Sequence, residues 1–187
     1  MTAQAPGPAE QVFARFLALQ HQARAAADID SLAYALVNDA QALFGFRHAA
    51  LLIAGRVRAL TAISVVEAHS PFVAFVEEAT RQLLAQGRSS QAQVVTADSL
   101  SEQTRGDWQA LSAGAVFWLP LLDRKQALFG GLWIARKQPW SAAEQALLLQ
   151  LGDCYAHAWL ALQPHKPWRL RWPRRRIIAV ATVALLL

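Results

Sequence analysis

The 187-residue sequence predicts an α/β (α+β) domain, an antiparallel sheet flanked by helices, followed by a basic linker and the start of a transmembrane helix. Three observations carry this expectation. Segments with apolar residues at steps of three and four alternate with short apolar, β-branched runs joined by tight turns, the marks of helices and hairpins. Hydrophobic residues make up 55% of the chain against only 9 Gly and 8 Pro, which suits a packed core. Finally, Lys166, Arg169, Arg171, Arg174, Arg175 and Arg176 lead directly into the uninterrupted apolar run Ile177 to Leu187.

The elements follow in order. Val12, Phe16, Leu19, Ala23 and Ala26 recur at helical spacing, so Ala9 to Ala27 reads as an amphipathic helix. A second helix is expected from Ser31 to Phe44, ended by Gly45. His48 to Ala54 and Val57 to Val65 read as two strands joined by a tight turn at Gly55 and Arg56. Ser70 as N-cap and Pro71 at the first helical position open a helix that closes at Gly87. A short strand at Val94 and Val95 precedes a polar stretch, Thr96 to Asp107, read as a loop with a helical turn. Val116 to Leu122 and Ala127 to Ala135 form a second hairpin across Asp123 to Gln126. Ser141 and Glu144 make a capping box for a last helix that runs to Leu162, and Pro164 and Pro167 end it.

Charge distribution excludes one class of partner. Met1 to His165 carries 12 Lys and Arg against 13 Asp and Glu, so the whole positive excess lies in the six cations after it. A globular nucleic-acid binder needs its cations on the folded surface, so no nucleic-acid partner is expected. Cys154 is the only cysteine, which rules out an intramolecular disulfide and a multi-thiolate zinc site. Met1 to Glu10 has neither the basic nor the apolar region of a secretory signal.

The tail reads as a membrane anchor. Cations next to a spanning helix stay on the cytoplasmic side, which places the preceding domain in the cytoplasm. The apolar run has eleven residues where a spanning helix uses about 20, so the chain is expected to stop inside its own transmembrane helix. Lys166, Trp168, Arg169, Arg171, Trp172, Arg174, Arg175 and Arg176 are the expected membrane-interface residues, with the two tryptophans set among cations at headgroup level. Three regions result: a domain from Ala9 to Leu162, a Trp- and Arg-rich linker from Gln163 to Arg176, and the membrane segment Ile177 to Leu187.

The block Ala113 to Leu149 carries a family resemblance. A small-residue turn (Ala113, Gly114, Ala115) leads into a strand closing on Pro120 and Leu121. After a turn come Phe129, Gly130, Gly131, Leu132, Trp133, Ile134 and Ala135, then Pro139, Trp140, Ser141, Glu144 and a run of leucines. Together with the element order, this resembles a GAF domain over Ala9 to Leu162. A GAF-like head, a Trp- and Arg-rich linker and then a first transmembrane helix is similar to the cytoplasmic N-terminus of some bacterial HlyD-like membrane-fusion (periplasmic adaptor) proteins. Their GAF domains carry a helix like Glu77, Glu78, Ala79, Thr80, Arg81, Gln82. The resemblance implies a non-enzymatic regulatory or assembly domain at the bacterial inner membrane, acting with a transporter or secretion-system subunit. The alternative is the input domain of a membrane-bound signalling enzyme such as a kinase or cyclase.

Catalytic constellations are missing from the sequence. His21, His48, His69, His157 and His165 never fall at a metal-ligand spacing, and no Walker loop, GxSxG or kinase motif occurs. No cofactor is expected. Cys154 sits in an apolar row, where an inert thiol is expected over a redox or chromophore-attachment role. Glu77 and Glu78 point about 100° apart on a helix and read as a solvated face. The Asn-Lys-x-Phe and Asp-Glu constellation of cyclic-nucleotide-binding GAF domains is absent. Trp118 and Trp133, on one hairpin, are the candidate lining of an apolar ligand pocket. The last helix has two apolar rows, one of which is Leu148, Tyr155, Trp159 and Leu162. That row is expected to meet Val12, Phe16 and Leu19, either of the same chain or across the two-fold axis of a homodimer.

Overall fold

The computed structural model describes residues 7–112 and 114–163. The basic linker beyond Gln163, with all eight expected membrane-interface residues, and the apolar run 177–187 lie outside the described residues. No helix among the described residues is long and apolar enough to cross a membrane.

The chain runs α1 (Pro8–Ala25), α2 (Ile29–Asn38), α3 (Gln41–Phe44), β1 (His48–Ile53), β2 (Arg56–Leu60), α4 (Pro71–Ala85), β3 (Gln93–Val95), α5 (Glu102–Leu111), β4 (Ala115–Leu122), β5 (Leu128–Arg136) and α6 (Ala142–Leu162). The five strands form one sheet in the order β2-β1-β5-β4-β3, every neighbouring pair antiparallel. The fold is α+β, with helices on both faces of the sheet.

Alternation along the central strands divides the core in two. Ala49, Leu51, Phe117, Leu119, Leu121, Leu132 and Ile134 face α1, α2, α3 and α6. Ala50, Leu52, Val116, Trp118, Trp133 and Ala135 face α4 and α5. Both faces are covered, which is why these strands read as continuous apolar runs. The described side chains of both cores lie between Phe16 and Leu162, the kind of self-contained set on which a domain folds.

Local chemistry sets the boundaries. Ser70 accepts the Val73 N–H with Pro71 at the first helical position, and Ser141 and Glu144 form the reciprocal capping box of α6. Gly45, at φ +59°, closes α3 in the left-handed conformation, its N–H donating to Gln41 O.

Three expectations are corrected. The second helix is not continuous to Phe44 but breaks after Asn38, whose side chain bonds Tyr34 O through Nδ2 and accepts the Ala62 N–H, competing with the helical ladder. The second strand ends at Leu60, not Val65. There the Thr61 hydroxyl accepts the Ala49 N–H at 2.8 Å and donates to Val37 O at 2.7 Å, and Ala62, at φ +60°, turns the chain away. The polar stretch after β3 is more than a loop with one turn: a 3-10 turn, Ala97–Ser99, is followed by the ten-residue α5, capped by Ser101.

The two apolar rows of α6 also find their partners. Leu148, Tyr155 and Trp159 are 1, 2 and 3% exposed and share one core with Phe16 and Leu19 of α1, while Leu162 is half-buried against it. One face of α6 lies on the sheet so closely that a Cβ at Gly152 would come within 2.8 Å of Leu119 Cδ1. Within one chain, α1 and the sheet pack over this row. Of the seven seam residues only Val12, 43% exposed, stands largely in solvent.

Candidate ligand-binding site

Trp118 and Trp133 sit directly opposite one another on β4 and β5 and project to the α4 and α5 side. Their environments differ. Trp133 is fully buried and packs edge-on against Phe75 and Trp108, with ring centroids 6.0 and 6.1 Å away. These rings pack together on that face, and Trp133 belongs to the core and not to the lining of the cavity beside Trp118. Trp118 lies over Gly131, where a Cβ would run into its ring, and its Nε1–H donates to Ser89 O at 2.7 Å. At Gly130 a Cβ would stand 2.6 Å from Leu52 O. Close packing against an indole and a neighbouring strand accounts for the glycine pair.

Beside Trp118 opens a cavity of about 430 Å³, toward the small end of the roughly 300–1,000 Å³ range of ligand pockets. Its floor is Leu52, Trp118 and Gly130; Ala54 and Gly55 of the β1–β2 turn and Leu128 and Phe129 of β5 form one wall; α4 contributes Glu77, Thr80, Arg81 and Leu84. Arg56 stands at the rim. Most of the lining is apolar; its polar side chains are Arg56 of β2, Glu77, Thr80 and Arg81 of α4, and Ser89 in the segment after α4.

Glu77 is not the solvated residue expected from sequence. Its side chain is 15% exposed, accepts the Val57 N–H at 2.9 Å and pairs with Arg56 Nη1 at 2.9 Å, tying the edge strand β2 to α4. Glu78 is the more exposed of the two and pairs with Arg81. Thr80, on the cavity wall, has a buried hydroxyl with no hydrogen-bond partner among the described residues. Gln82 fixes α5 to α4 by donating to the Ser101 and Thr104 hydroxyls and accepting the Ser101 N–H.

Of the two tryptophans named from the sequence, Trp118 borders this cavity; Arg56, Glu77, Thr80, Arg81, Leu84 and Ser89 also line it and were not named for it, nor was Trp108 named for the core. For Trp108 a signal existed in Thr104, Trp108 and Leu111, spaced four and three after a capping serine. Elsewhere, Cys154 is half-buried with Sγ 3.6 Å from Gln20 O, and burial pushes its thiol pKa up, away from the reactive thiolate. His157 is exposed, with Nδ1 2.8 Å from Asp153 O. His48 packs on Phe72, and burial lowers its pKa.

No family model matches the sequence, and no curated protein matches it. Solved structures do. The chromophore-binding domain of a bacteriophytochrome from R. palustris superposes with a TM-score of 0.60 at 10% identity, over 85% of this chain and 63% of that one. The GAF domain of an Acinetobacter phosphoenolpyruvate-protein phosphotransferase gives 0.59 at 11% identity, over 83% and 95%. The GAF domain/HD domain protein from Geobacter sulfurreducens gives 0.55 at 18% identity, over 74% and 97%. This chain thus spans just under two thirds of the bacteriophytochrome domain and nearly the whole of the two GAF structures. With its five-stranded antiparallel sheet between two helical layers, the chain has the GAF-domain fold.

Proposed function

We propose that this is a non-enzymatic regulatory domain, held at the cytoplasmic face of a bacterial inner membrane as the head of a HlyD-like membrane-fusion subunit of a transport or secretion system. The observation that carries the reading is the placement of charge: six cations and no acid between His165 and Ile177, directly before an apolar run. The cavity supports a binding role over a catalytic one. Among the described residues no histidine or cysteine lines it, and both oxygens of its one carboxylate, Glu77, are engaged in holding β2 to α4. A chromophore-binding domain shares the fold, so the architecture accommodates a ligand. In this reading, ligand or partner binding at the domain is coupled to the membrane complex.

Reporter fusions in the full-length protein test it, one at the N-terminus and one beyond the membrane helix. The expected result is a cytoplasmic N-terminus and a periplasmic signal after the helix. An N-terminus outside would sink both the orientation and the adaptor reading, and a cytosolic catalytic domain after the helix would replace it with a signalling enzyme.

A further inference from the structure

We infer that the cavity beside Trp118 takes a compact apolar monocarboxylate, its hydrocarbon body on Trp118, Leu52 and Leu84 and its carboxylate at the mouth with Arg81 and Arg56. This rests on reading the cavity as the domain's ligand site and adds the chemistry of the ligand. Apart from the Thr80 and Ser89 hydroxyls, the lining away from Arg56, Glu77 and Arg81 offers carbon surface and backbone, so an extended polar body would lose most of its hydration there without compensation. The two guanidinium groups mark where a polar head belongs. Arg56 and Arg81 both border the cavity, with side chains 83 and 67% exposed, so each reaches solvent and the mouth. Each is held by a single acidic neighbour, Glu77 for Arg56 and Glu78 for Arg81. A guanidinium has five donors in a planar fork, which leaves several on each arginine for an incoming carboxylate. Both Glu77 oxygens are already engaged, one by Arg56 and one by the Val57 N–H, so the carboxylate is held in place along the β2–α4 join. The size is bounded by the cavity's 430 Å³.

The test uses residues 1–163, which contain both cores, with 3-phenylpropionate and octanoate as probes and 3-phenylpropionamide as the neutral counterpart. Amide resonances of α4 and of Leu128 to Gly130, with the Trp118 indole N–H, report occupancy in ¹H–¹⁵N spectra, and unchanged dispersion elsewhere confirms that each variant is folded. The expected result is saturable shifts around the cavity with the carboxylates and not with the amide. Arg81→Gln weakens binding about tenfold, the worth of one charge-assisted hydrogen bond. Glu78→Gln tightens it, because Arg81 is released from its partner. If the amide binds as well as the acid, or Arg81→Gln changes nothing, the anionic head is wrong while the cavity stands as a ligand site. No saturable shift into the millimolar range with any probe overturns the assignment entirely. Neither result bears on the topology of the membrane segment, which the fusions test separately.

Discussion

The guanidinium of Arg136 grips the carboxylate of Glu144 with two parallel contacts, Nη1 to Oε1 at 2.7 Å and Nη2 to Oε2 at 2.6 Å, while its Cζ lies 3.8 Å above the Trp140 ring. The same arginine donates to Phe44 O, Gln138 O and Pro139 O. One side chain thus joins the end of β5, the start of α6 and the end of α3. Glu144 is also the capping-box residue of α6, so helix initiation and sheet-to-helix docking share one carboxylate.

Replacing Glu144 with Gln is expected to cost about 2 kcal/mol, below the 3–5 typical of breaking a buried pair because the Glu144 side chain is 30% exposed. A denaturant midpoint unchanged from wild type would show that the pair is ornamental. Arg136→Lys is expected to be nearly as damaging, since a point charge cannot supply the fork or the stacking.

The same pair gives a pH dependence. Hydrogen bonding from Arg136, then from Ser141, lowers the Glu144 pKa from 4.5 to about 2 against the opposing effect of burial. On acidification the unfolded chain therefore takes up the proton first. The stabilisation is complete above pH 4.5 and is lost as pH falls from there through about 2. Urea titrations of wild type and Glu144→Gln are expected to converge toward pH 2; a gap of constant size across that window would contradict the assignment.

Gly131→Ala is expected to destabilise by about 1–3 kcal/mol, the cost of overpacking, because the new methyl meets the ring of Trp118. Near-ultraviolet circular dichroism checks that the loss comes from a displaced indole. A stable variant with an unaltered tryptophan signal would mean that the ring has room the structure does not show.

Trp159→Glu and Leu148→Glu are expected to unfold the domain, not to release folded subunits. Both side chains are buried within one chain against α1 and the sheet, and an unpaired carboxylate there has no solvent. Light scattering together with circular dichroism separates the outcomes, and a folded monomer produced from a dimer by either change would restore the two-fold seam.

Cyclic AMP, cyclic GMP and cyclic di-GMP are expected to give no binding heat with residues 1–163. Most of the cavity lining is apolar, and Trp108, Trp133 and Phe75 pack together on the α4 and α5 face. A micromolar dissociation constant for any of the three would refute this.

Much of the architecture was determined by sequence alone, because it depends on short-range chemistry. The capping box at Ser141 and Glu144, the Ser70-Pro71 helix start, the αL glycine at Gly45 and the hairpin across Asp123 to Gln126 each act over a few residues, and each is where the sequence puts it. What only the tertiary structure decided were relations between distant residues. Val57 to Val65 has strand composition throughout, yet the strand stops at Leu60 because Thr61 and Ala62 are captured by Val37 and Asn38 of α2. The second apolar row of α6 announces burial but not by what, and α1 of the same chain supplies the cover. Trp118 and Trp133 look alike on paired strands; Trp118 lines the 430 Å³ cavity, whereas Trp133 is packed against Trp108, which α5 delivers onto it. A pocket is the space that packed elements leave over. Its position follows from which side chains of α4, α5 and the sheet fill the gap between them, and no local pattern encodes that remainder.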